Sequence, residues 1–313
     1  MRAYRSLGEV PEDFGPSAVT IGKFDGVHLG HLALVGRLCA EAAERGLRPT
    51  VLTFDRNPLA LIAPESCPAP VQSLDQRRER LTQTGVAALV ELAFDARLRD
   101  MSAEEFVRQV LVEVLDARLV MIGPDFRYGA GGQGDAASLT RAGALYGFEV
   151  LIVGEVVAPD GQRASSSRIR RLLAEGDVAG AARLLGQPHT LRSEIVHGEK
   201  RGRELGYPTA NLRADPEGMI PADGVYAGWV IDGDARFPAA ISVGNNPTFD
   251  GVPAKQVEAH LLDVDLDLYG HVVEVQFVDR VRGMAKFSSI DELITAMARD
   301  VREVRVLLAA NRK

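Results

Sequence analysis

Strand-like and helix-like runs alternate from residue 17 to about 185, and the alternation stops after Gly186-Gln187-Pro188. Few folds accommodate both halves of such a chain. In the first, β-branched runs at 18–22, 49–54, 87–94, 118–123 and 148–157 are separated by helical patterns at 31–45, 74–84, 103–116 and 136–146. This is the rhythm of parallel strands joined by crossover helices. Ser102 with Glu105 makes a capping box, and Gly46, Gly85 and Gly147 stand where helices should stop. In the second half, runs at 190–196, 224–231, 237–243, 257–262 and 272–278 are parted by Gly, Pro, Asn and Asp, as in a small antiparallel barrel. A last helix begins at Ser289, boxed by Glu292, with Leu293, Ile294, Met297, Val301, Val304 and Leu308 at helical spacing. The 313 residues suffice for two cores. The predicted fold is an α/β Rossmann-like domain over 1–186 followed by a small antiparallel β-barrel with a C-terminal helix over 187–313.

A net charge of -7 opposes nucleic acid. The densest basic run, Gln76-Arg77-Arg78-Glu79-Arg80, reads as the solvated face of a helix. Cys39 and Cys67 suggest neither a disulfide framework nor a thiolate metal site, which fits a cytoplasmic protein. No apolar run has the length of a signal peptide or membrane span. No His, Cys and carboxylate trio has zinc-ligand spacing. His189, His197 and His271 stand isolated, Trp229 and Phe237 read as core, and self-association into a homo-oligomer is left open.

The most informative string of the first half is Gly22-Lys23-Phe24-Asp25-Gly26-Val27-His28-Leu29-Gly30-His31, between a strand and a helix. Backbone N–H groups at a helix start favour an anion, and glycines let a polyphosphate approach the chain. His28 and His31 can donate to phosphate oxygens whose charge grows during transfer. The string is neither a P-loop nor a dinucleotide fingerprint. Two further segments fall at the carboxyl edge of the predicted sheet, Ile122 through Gly129 with Asp125, and Ser165-Ser166-Ser167-Arg168 at the start of a helix. The latter offers a second phosphate grip, although Ser166 or Ser167 could equally serve as a plain helix cap.

His-x-Gly-His resembles the nucleotidyltransferase signature, and the first half as a whole resembles the adenylyltransferase module of bacterial bifunctional riboflavin kinase/FMN adenylyltransferases. Thr53-Phe54-Asp55-Arg56-Asn57-Pro58 stands where that family more often has Thr-Phe-Asp-Pro-His-Pro. The resemblance implies ATP contacts from Gly22, Phe24, Asp25, Gly26, His28, Gly30, His31, Asp125, Ser166, Ser167 and Arg168, with Pro58 near the flavin. His28, His31 and Arg168 would serve catalysis by charge neutralisation. The Arg56 and Asn57 departures leave the flavin contacts of that loop open.

In the second half, Thr209 and Asn211 lie two apart in Pro208-Thr209-Ala210-Asn211, so in an extended stretch their oxygens face one side and can share a hard cation. Alone, this string is also compatible with an Asx turn. With Gly198 through Leu212, Gly224-Val225-Tyr226-Ala227, Gly244 through Phe249, Val257-Glu258-Ala259-His260, Leu268-Tyr269-Gly270 and Lys286-Phe287, it resembles the riboflavin kinase module. The resemblance implies Thr209 and Asn211 as ligands of magnesium (Mg2+), ATP as co-substrate and Glu258 as the catalytic base. Glu258 on its own would otherwise read as an outward-facing strand residue. The implied reactions convert riboflavin to FMN and FMN to FAD. A monofunctional adenylyltransferase, a flavin sensor, and a relative acting on a pantetheine or nicotinate phosphate are the alternatives.

Overall fold

The computed structural model describes residues 1–154, 157, 161–198, 205–244, 255–264 and 266–311. The chain forms two compact units, Met1–Ala164 and Ser165–Lys313.

The first unit runs β1 (Arg2–Tyr4), β2 (Ser17–Ile21), α1 (Leu29–Arg45), β3 (Arg48–Phe54), α2 (Leu59–Ile62), α3 (Leu74–Thr82), β4 (Ala88–Leu92), α4 (Ala96–Asp100), α5 (Ala103–Glu105), β5 (Ala117–Ile122), α6 (Ala136–Tyr146) and β6 (Glu149–Ile152). Its six strands are ordered β1-β4-β3-β2-β5-β6, and every pairing is parallel. Helices cover both faces, so β2 is buried at every position and reads as a continuous apolar run. Val51 and Leu89 pack with Val35 of α1 and Leu81 of α3. Their neighbours Leu52 and Val90 point the other way, onto Phe106, Val110 and Leu111. From β2 the chain builds β3 and β4 on one side and then crosses to β5 on the other, so the crevice beyond the carboxyl ends of β2 and β5 is the switch point where such sheets bind ligands.

Three features differ from the sequence reading. β1 is too short to show a pattern; it pairs with β4 and buries Tyr4 edge-on against Phe14. The helix expected over 103–116 is α-helical only to Glu105 and continues as a π-helix over Phe106–Val114. The run expected on a solvated face is partly interior, with Arg77 only 7% exposed. Buried charge needs partners, and Arg77 finds them in two backbone carbonyls and the buried Glu91.

The second unit runs α7 (Ser166–Glu175), α8 (Val178–Leu185), β7 (His189–Val196), β8 (Ala210–Leu212), β9 (Gly224–Asp232), β10 (Ala235–Gly244), β11 (Gln256–Leu261), β12 (Val272–Arg282) and α9 (Ile290–Ala310). The strands close into a barrel ordered β10-β11-β8-β7-β12-β9. β8, only three residues long and absent from the sequence reading as a strand, completes the closure by pairing with both β11 and β7. Closure leaves no open edge. Inward residues such as Leu191, Tyr226, Ile241, Val275 and Phe277 are fully buried. The α9 helix lays Val304 and Leu308 on Ala227 and Leu262. Trp229 is only partly buried there, its ring covered by the Arg236 guanidinium 4.1 Å away. By packing, α7 and α8 belong to this unit: Arg280 of β12 donates to the Glu175 carbonyl at the end of α7 and to the Asp223 carbonyl beside β9.

Candidate active sites

In the first unit the chain leaves β2 through a turn of unusual backbone. Phe24 has φ 50° and Val27 φ 36°. A side chain in that region costs about 1–3 kcal/mol, tolerated where the surroundings fix it. Both residues are completely buried, packed among Val35, Val51 and Leu81. The turn delivers His28 as the N-cap of α1, where its Nδ1 accepts the Gly30 N–H at 3.2 Å. That acceptor role leaves the proton of a neutral ring on Nε2, which becomes its donor. The His31 ring stacks on His28 with centroids 3.8 Å apart, and Phe24 flanks it at 4.9 Å. Gly30 lies close between them: a Cβ there would stand 3.0 Å from the His28 ring, which would have to shift to admit it.

Both rings are held neutral. Burial, then the Arg163 cation, lowers His28 to about 4. Burial, then His28, Arg77 and Lys23, holds His31 well below the ordinary value. Neither ring carries charge, and the Nε2–H of His28 remains a hydrogen-bond donor. Of the other expected contacts, the Asp25 Oδ1 accepts the Val71 N–H at 2.9 Å, so part of that carboxylate anchors the neighbouring segment. Gly22 continues the sheet by donating to the Leu52 carbonyl, and Gly26 takes φ 81° in the turn. Asp125, beyond β5, accepts from Arg163 at 2.9 Å. Pro58 is the N-cap of α2, Asn57 Oδ1 accepts the Leu59 N–H, and Arg56 pairs with Asp55. At the start of α7 the cap is Ser165, whose Oγ accepts the Arg168 N–H at 3.3 Å, and not Ser166 or Ser167. Ser166, Ser167 and Arg168 occupy the first turn of that helix, in the second unit.

The barrel carries a cavity of about 710 Å³ lined by Thr209, Asn211, Ser242, Glu258 and His260 on its polar side, a volume suited to a small molecule. Register explains the convergence: Glu258 on β11 lies opposite Asn211 on β8 and Ser242 on β10. The Thr209 hydroxyl donates to Glu258 Oε2 at 3.2 Å, and Asn211 Nδ2 donates to the Thr209 carbonyl, which turns the amide oxygen away from that bond. Gly198 lets Asn211 sit there, since a Cβ would fall 2.5 Å from its amide. Because a carbonyl only accepts, His260 donates from Nδ1 to the Pro208 carbonyl at 2.7 Å and so fixes this segment. The same cavity is also lined by the apolar side chains of Met284, Phe287, Leu293 and Met297. The 199–204 and 245–249 parts of the expected motifs lie outside the described residues.

Several residues escaped the sequence reading. Arg163 stands three residues before Ser166 and meets Asp125, but nothing in its neighbourhood marks it beforehand. Arg282 holds Asp300 of α9 with both carboxylate oxygens engaged, and both residues line the cavity. His197 is not isolated: it lines the cavity and packs on Tyr269 with centroids 3.8 Å apart. His271 pairs with Asp232 at 2.8 Å.

The buried His189 of β7 donates to the Met219 carbonyl at 2.6 Å, and its burial lowers it to about 4. The unfolded chain therefore binds a proton below pH 6.5 that the fold refuses. Stability is full above 6.5 and falls by about 3 kcal/mol per such histidine as pH drops toward 4. Urea melts across that range should show the fall, and His189→Gln should remove one histidine's share.

A sheet with two neutral imidazoles at its switch point and a barrel cavity with a carboxylate beside a hydroxyl and an amide fit a two-module transferase. Comparison with known proteins narrows this. The profile of the FAD synthetase family matches residues 10–168 and that of the riboflavin kinase family residues 185–308. A bifunctional riboflavin kinase/FMN adenylyltransferase of Escherichia coli is 36% identical over 96% of this chain and 95% of its own. One of Pseudomonas fluorescens is 37% identical over 99% and 98%. A solved structure from Streptococcus pneumoniae, described as a macrolide-efflux protein, is 32% identical with a TM-score of 0.85, covering 97% of this chain and 98% of that one. The chain belongs to the bifunctional riboflavin kinase/FMN adenylyltransferase family.

Proposed function

We propose that the barrel module phosphorylates riboflavin to FMN with ATP and that the sheet module adenylylates FMN with ATP to give FAD and pyrophosphate. The functional boundary is placed after Gly186, where the sequence changes rhythm. The observation that carries the kinase assignment is the carboxylate of Glu258 facing Thr209 and Asn211 within one cavity. A neutral alcohol must lose a proton as it attacks phosphorus, and Glu258 is placed to take it from the ribityl 5'-hydroxyl. The apolar lining suits the flavin ring.

Adenylyl transfer needs no such base, because the FMN phosphate is already an anion when it attacks the α-phosphorus of ATP. Alignment and charge dispersal suffice. His28 Nε2–H and the His31 ring supply donors, and the N–H groups of α7 with Ser166, Ser167 and Arg168 supply the second grip that the family resemblance implies. Asp25 and Asp125, which both accept hydrogen bonds from the protein, act by shaping the loops around the nucleotide. Pro58 is assigned to the flavin side.

The donor set of the barrel fits magnesium: a hydroxyl and an amide oxygen are hard, sparse ligands that leave room for phosphate oxygens and water. Thr209 and Asn211 would hold Mg2+, and when bound the ion neutralises phosphate charge. Expected accordingly, Asn211→Ala raises the magnesium concentration needed for half-maximal FMN formation about tenfold while leaving that for FAD formation unchanged; equal shifts in both would move the cation site elsewhere. Among the described residues no helix is long and apolar enough to cross a membrane. A cytoplasmic location is part of the proposal.

A further inference from the structure

Arg77 crosses the carboxyl edge of three adjacent strands. Its Nη1 donates to the Lys23 carbonyl just beyond β2 at 2.9 Å, and its Nη2 donates to the Phe54 carbonyl ending β3 at 2.6 Å and to Glu91 Oε2 on β4 at 2.9 Å. Arg78 meets the other oxygen of Glu91. Such a buried ion pair is poorly explained by stability, since desolvation offsets its attraction and apolar side chains of similar volume often do as well. What Arg77 fixes is a peptide plane. The Lys23 carbonyl, which also accepts from Thr53 Oγ1, belongs to the peptide from which Phe24 turns into its left-handed φ of 50°. The Phe24 ring flanks His31, and His31 stacks on His28.

We propose that Arg77 is a positioning residue of adenylyl transfer, holding the Lys23 carbonyl and thereby the Phe24 turn so that His28 and His31 meet the triphosphate in one orientation. This rests on the reading of the two histidines as phosphate contacts. Arg77 also adds its charge to those acting on His31, the others being His28 and Lys23, all of which disfavour a proton there.

The test uses the full chain, with FAD formation from supplied FMN and magnesium ATP measured across pH. Arg77→Met is expected to lower kcat at least tenfold, to leave KM for FMN within twofold, and to move the acid limb of the kcat profile to higher pH. Arg77→Lys keeps the charge and loses the fork; it should lose about threefold in kcat with the acid limb unmoved. A merely structural role predicts a lower amplitude and melting temperature for Arg77→Met with the limb in place, and that result, or wild-type kcat, overturns the proposal. If Arg77→Met does not fold, wild-type kcat in Arg77→Lys overturns it. His28→Ala and His31→Ala, run alongside, separate the two layers. Full activity in those variants removes the phosphate-contact reading itself, whereas their failure beside an unaffected Arg77→Met removes only the role of Arg77.

Discussion

Glu258→Ala is expected to lower riboflavin phosphorylation by about 10²–10⁴-fold, while FAD formation from supplied FMN continues at the wild-type rate. The size follows from what the carboxylate does. The ribityl hydroxyl is neutral, and the Thr209 hydroxyl already directs its hydrogen to Glu258. Among the described residues the other carboxylate that lines the cavity, Asp300, is held by Arg282. Glu258→Gln should fail nearly as badly, because the amide keeps the shape and the hydrogen bond but takes no proton. Coupled measurement of ADP release with riboflavin as substrate checks both variants, and activity near wild type in either would remove Glu258 from the role of base.

His28→Ala is expected to produce the converse: loss of adenylyl transfer by about 10²–10³-fold, the scale of removing one donor from developing charge, with FMN formation intact. His31→Ala should lose as much, since each ring supports the other in the stack. Arg168→Ala should resemble them if the start of α7 grips phosphate. Because both histidines are held neutral by burial and nearby cations, adenylyl transfer should stay flat from pH 8 to pH 6 rather than titrate near 6.5. A step in kcat near the ordinary histidine value would show that charge, not donation, is what the pair contributes.

Much of this was legible in the residues, for reasons that differ by element. The β2 to α1 junction reads well because glycine, two histidines and a helix start are constrained together over ten positions, and a side chain at position 30 would press on the ring of His28 two residues earlier. Glu258 and Asn211 read less directly: their cross-strand pairing depends on β8, a strand of three residues with no pattern of its own. The buried arginine was misread because charge composition alone cannot reveal partners such as Glu91 and two strand-end carbonyls, which the fold brings from distant parts of the sequence. Arg282 with Asp300 was missed for the same reason, eighteen residues of chain separating a barrel strand from a helix. The Ser165 cap shows a finer limit: three consecutive serines offer equal chemistry, and only the backbone selects one.

The central claim is that two independent sites act in succession on one flavin. Mixing equal amounts of the Glu258→Ala and His28→Ala proteins with riboflavin and magnesium ATP, and resolving flavins by chromatography, tests it directly. Each variant alone should make almost no FAD, the second accumulating FMN, while the mixture should make FAD at a rate approaching that of wild type. A mixture that still stops at riboflavin or FMN would contradict the division between the two units.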